Sequence, residues 1–123
     1  MATKKQEREA AEVQEAIAAM EAADRRIAER LHDAITGAAP ELAPKLWYKQ
    51  PAYARDGKVL VFFRAGSVDG ERYLSLGFTT EAALDDGPIW PTSYAVIDVT
   101  DEVAAEVARL VRLAVGPQES DEP

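Results

Sequence analysis

Apolar residues recur at Val13, Ile17, Met20, Ile27, Leu31 and Ile35. Spacings of three, four and seven predict a helix from about Lys4 to Thr36. Thr3 and Gln6 supply a Thr-x-x-Gln capping box, and Gly37 stands where the helix should stop. The stripe is interrupted at Asp24, which predicts a bend, a short break or an exposed first half there. The first twelve residues carry alternating charge and only alanine to bury, so residues 1–12 are expected to be a frayed extension of a domain spanning 13–116.

After a Gly/Pro connector from Gly37 to Pro44, the period changes to that of strands. Leu46–Gln50 reads as a short strand, with Pro51 at its end because proline has no N–H for a ladder. Arg55-Asp56-Gly57-Lys58 is a hairpin turn by its Asp-Gly pair. Lys58–Ala65 is apolar at nearly every position, as in a central strand, and Arg72–Phe78 alternates as a third strand. Thr79–Leu84 is expected to form a short helix, Ser93–Val99 a last strand, and Thr100 to cap a C-terminal helix that buries Val103, Val107, Leu110, Val111 and Ala114. This order predicts an α+β fold in two layers, a mainly antiparallel sheet of four to five strands with N- and C-terminal helices on one face. Residues 117–123 are expected to be a disordered acidic tail.

The 123 residues fit one domain. The formal net charge of -8 argues against a nucleic acid partner, since phosphate binding relies on clustered Lys and Arg, and disfavours an anionic membrane surface. The absence of cysteine removes disulfides, thiolate nucleophiles and zinc–cysteine sites. With no apolar run long enough to cross a bilayer and no leader-like N-terminus, a cytoplasmic protein is expected.

No triad, nucleophile elbow or metal motif stands out, and the expectation is a non-enzymatic binding module without catalytic residues. The single His32 reads as a structural helix histidine. Trp47, Tyr48, Lys49, Tyr53, Arg64 and Trp90 are the candidate walls of a cleft, for a small molecule or a protein segment. Carboxylates suited to a divalent cation lie at Glu12, Glu15 and Asp24, or at Asp85 and Asp86. The stripe Val13, Ile17, Met20 lacks an assured partner and suggests a homodimer through the N-terminal helix.

The run Trp47-Tyr48-Lys49-Gln50-Pro51-Ala52-Tyr53, followed by Gly57-Lys58 and an apolar strand, resembles the YdhG-like family of small bacterial domains of unknown function. The resemblance covers roughly Val13 to Val115 and implies a secretion-chaperone-like architecture. Some members are labelled frataxin-like iron chaperones, which implies ferrous iron held by surface carboxylates of the first helix. Here Arg25, Arg26 and Arg30 interleave with those acids.

Overall fold

The computed structural model describes residues 2–116. The expected acidic tail at 117–123 lies outside the described residues. A five-stranded antiparallel sheet of β1 (Ala43–Trp47), β2 (Gln50–Arg55), β3 (Lys58–Arg64), β4 (Leu74–Phe78) and β5 (Ser93–Val96) runs in simple chain order. Helices α1 (Lys4–Ala18), α2 (Ala22–Ala38) and α4 (Asp101–Val115) pack on one face, and a single turn, α3 (Gly66–Asp69), links β3 to β4. The α+β class and the two-layer arrangement are as the pattern predicts. No helix among the described residues is long and apolar enough to cross a membrane.

Pairing in register sorts the side chains onto the two faces, because antiparallel partners point the same way. Tyr53, Val61 and Phe78 share one row and are buried beneath the helices. Leu60 is the extra residue of a bulge, since Tyr53 pairs with Val61 while Ala54 pairs with Val59. The bulge turns both Leu60 and Val61 toward the helices, which explains why β3 is apolar without alternation. The next row, Lys45, Ala52, Phe62, Gly77 and Ser93, crosses all five strands on the opposite face. There Trp47 and Phe62 meet edge to face, 5.1 Å between centroids, over buried Ala52, Ala54 and Val59.

Several elements differ from expectation. The long N-terminal helix is two helices, broken at Ala19–Glu21 rather than at Asp24, and α1 is continuous from the Thr3 capping box through residue 12 with no boundary there. Val13 and Ile17 are buried in the main core, where α1 lies against β1 and β2. The stripe that suggested a helix–helix dimer therefore has its partner within the chain. Leu46–Gln50 is not one strand: β1 begins at Ala43, the chain turns at Tyr48-Lys49, and Pro51 falls inside β2 opposite Leu46. The β2–β3 ladder starts at Ala52, so the missing N–H of Pro51 lies beyond it. Thr79–Leu84 forms turns instead of a helix. The Thr79 hydroxyl both donates to the Val59 carbonyl at 2.6 Å and accepts from the Glu81 amide, which ties the segment to the sheet end. The last strand stops at Val96.

Gly77 is where the ring of Phe62 lies on the sheet. A Cβ there would come within 2.7 Å of Phe62 Cε1 and 2.9 Å of Cε2. Gly77→Ala is expected to cost about 1–3 kcal/mol through overpacking, and Phe62→Ala in the same chain should remove most of that increment. Urea denaturation of the two single variants and the double variant checks this, and additive losses would show that the ring is not seated on Gly77.

Candidate functional site

The α1–α2 break has no glycine or proline to explain it, since residues 18–23 read Ala-Ala-Met-Glu-Ala-Ala. One local and two long-range hydrogen bonds hold it. Arg25 donates from Nη1 to the Met20 carbonyl at 3.2 Å, satisfying an orphan group at the end of α1. One residue earlier, the largely buried Asp24 accepts from the Gly66 and Ser67 amides at 3.3 and 3.2 Å. The carboxylate supplies acceptors to the start of α3, whose own preceding residue, Ala65, offers no side-chain cap. Gly66 itself permits the close return of the chain after α3: a Cβ there would lie 2.8 Å from the Glu71 carbonyl oxygen and would also collide with the Tyr73 carbonyl.

Across from this elbow stands the tip of the β1–β2 hairpin. Tyr48 and Lys49 have φ of 52° and 67°, the left-handed pair of a two-residue type I′ turn that usually takes Asn-Gly. Between elbow, tip and α3 lies a cleft of about 500 Å³. Met20, Pro51, Phe63 and Val68 contribute apolar walls, and Lys49 and Arg64 contribute cations. Arg64 is fixed from both sides, donating to both Asp69 oxygens at 2.7 and 2.9 Å and to Gln50 Oε1 at 3.3 Å. That pairing holds the Asp69 carboxyl below its ordinary range and raises the Arg64 guanidinium. Lys49 enters no ion pair among the described residues.

Of the six residues expected to wall a cleft, Tyr48, Lys49 and Arg64 converge here. The other three do not. Trp47 lies on the opposite sheet face, edge to face with Phe62. Tyr53 is fully buried under the helices. Trp90 is half-exposed in the loop before β5 and is not among the residues that line the cleft. Sequence reasoning missed Met20, Pro51 and Val68 as walls, because each looked like ordinary core or turn. Asp24 departs from its expected parts as a break in the seam and a metal ligand: the charge in an apolar stripe marks a buried acceptor.

Glu12 and Glu15 are exposed on α1, and Asp24 is committed to two amides, so the three carboxylates do not form a common site. Among the described residues, no three His, Asp or Glu side chains are grouped to hold a metal ion, and Asp85 and Asp86 stand without a third.

His32 links the surface to the core. Gln14 Nε2 lies 3.1 Å from His32 Nε2, and His32 Nδ1 lies 2.8 Å from Tyr53 Oη. Burial lowers the His32 pKa from 6.5 despite the opposing charge of Asp33, and a neutral ring suits this chain: the Gln14 amide donates to Nε2 and Nδ1–H donates to Tyr53. Burial together with Asp33 pushes the Tyr53 hydroxyl far above its usual range, so it remains a neutral partner.

A scan against protein-family models found no match, and neither the curated proteins nor the solved structures yielded one.

Two outcomes follow. Because the folded His32 pKa is depressed, the unfolded chain takes up the proton first as pH falls below 6.5, and stability drops through that interval. Urea midpoints at about pH 7.5 and about pH 5.5 should separate more for the wild type than for His32→Gln; equal separations would contradict the depressed pKa. Relieving the left-handed tip with Tyr48→Asn and Lys49→Gly should raise stability by ~1–2 kcal/mol, measured by the same denaturation, and a loss would show that these residues are unstrained.

Proposed function

We propose that the protein is a binding module whose cleft, between the α1–α2 elbow, the Tyr48-Lys49 tip and α3, takes a small molecule or a protruding side chain of a protein segment. The observation that supports this reading most is the tip itself. Two side-chain-bearing residues occupy a turn that Asn-Gly would form with less strain, and they are the ones that close the cleft. The fitting ligand has an apolar body for Met20, Phe63 and Val68 and an acceptor group for Lys49, because Arg64 is already paired with Asp69.

A YdhG-like membership belongs to the same proposal, supported by the Trp47–Tyr53 motif and the antiparallel α+β architecture. Iron carriage, the alternative implied by that resemblance, finds no grouped carboxylates among the described residues. Binding at the cleft is tested by a fragment screen read through methyl NMR signals. Hits should shift Met20 and Val68 methyls, and Ala19→Trp, which fills the cleft from the elbow, should abolish them. Hits that survive Ala19→Trp, or that shift only distant methyls, would overturn the reading; Lys49→Glu should weaken carboxylate-bearing hits about tenfold while sparing neutral ones.

A further inference from the structure

The sheet ends in two unlike edges. β1, at one edge, carries Pro44 and Lys45 and has α1 packed against it, devices that keep a strand from recruiting another. β5, at the other edge, has none of these: Ser93-Tyr94-Ala95-Val96 holds no proline, charge or bulge. Its ladder fixes which backbone groups are left over. Phe78 N–H donates to the Thr92 carbonyl at 2.8 Å, and hydrogen-bonded pairs alternate along antiparallel strands, so Tyr94 and Val96 are the residues that bond to Leu76 and Leu74 of β4. The N–H and C=O groups of Ser93 and Ala95 point away from the sheet, where no further strand pairs with them among the described residues. Both residues are exposed.

The same stretch is the longest uncharged run of the chain. Residues 87–97 read Gly-Pro-Ile-Trp-Pro-Thr-Ser-Tyr-Ala-Val-Ile, in a protein whose net charge is -8. Ile89, Trp90 and Ile97 are half of the six large apolar side chains exposed among the described residues. Copies of an acidic chain repel each other over most of their surface, and this run is where they can meet without opposed charges. Ser93 and Ala95 are too small to form pockets that would select a foreign peptide, whereas they oppose each other without clash in a two-fold pair. We propose that β5 pairs with β5 of a second copy, antiparallel about a two-fold axis at Tyr94. Each Ser93 then exchanges two backbone hydrogen bonds with the partner's Ala95. An axis at Ala95 would instead oppose Ser93 to Ile97, where the strand has already ended. With the axis at Tyr94, each Ile97 approaches the partner's Pro91, next to Trp90, and apolar surface is covered at both ends of the contact. Ser93 and Ala95 share the helix-free face, so the two sheets join into one with the helices of both copies on the same side.

Sedimentation equilibrium of the full chain from about 5 to about 500 µM tests this, since so small an interface belongs to the weak, transient class. The mass should rise from that of one chain toward that of two across the range. Ala95→Pro removes an outward N–H and leaves the β4 ladder intact, so it should stay a folded monomer throughout. Ala95→Lys puts a charge on the edge and should weaken association at least about tenfold, which keeps the test valid where the proline variant does not fold. Hydrogen exchange locates the contact: the Ala95 amide should slow about fivefold or more between the lowest and highest concentration, and the Tyr94 amide, already bonded to β4, should change less. A single-chain mass at every concentration overturns the proposal. So does a two-chain mass that both Ala95 variants retain, which assigns the interface to another surface.

Discussion

The carboxylate of Asp24 couples two parts of the chain that are 42 residues apart, the first turn of α2 and the backbone at the start of α3. Set largely out of water, that carboxylate is stable only with donors at hand, and a buried charge left without partners costs several kcal/mol. The two amides meet this need only if α2 starts where it does. The helix must therefore end near Ala19 and restart at Ala22, although the local residues are strong helix formers. The elbow is a tertiary product, and the cleft exists because of it.

That cause explains which parts could be read from residue order. The β2–β3 turn at Asp56-Gly57, the apolar strand after it and the Thr100-capped helix were legible, because each depends on local chemistry: a turn pair, a run of β-formers, a hydroxyl accepting from Val103 N–H. The helix break was visible only as a misplaced charge. The hairpin at Tyr48-Lys49 was not visible, since neither residue prefers positive φ, and Pro51 drew the expected strand end one turn too late. Thr79 has the chemistry of a cap but directs its hydroxyl to the Val59 carbonyl, so an apparent helix became a strap across the sheet end.

The candidate site divided along the sheet. A strand sends neighbouring side chains to opposite faces, so the aromatic run from Trp47 to Tyr53 could never line one wall. Tyr53 went under the helices to meet His32, Trp47 went to the open face, and Tyr48 stayed at the tip. Arg64 reached the cleft because its row on β3 adjoins Gln50 at the base of the hairpin. The result is a molecule with different chemistry on its two faces: a cleft at the helical elbow, and an aromatic cluster of Trp47 and Phe62 where no helix lies.

The most direct measurement is native-state hydrogen exchange at the Gly66 and Ser67 amides, compared between the wild type and Asp24→Ala. If the carboxylate holds the elbow against α3, both amides are protected in the wild type and exchange at least about tenfold faster in the variant, and the Met20 and Val68 methyl signals move with them. Unchanged protection of Gly66 and Ser67 in Asp24→Ala would contradict the account, because the elbow and the cleft would then be held by something else.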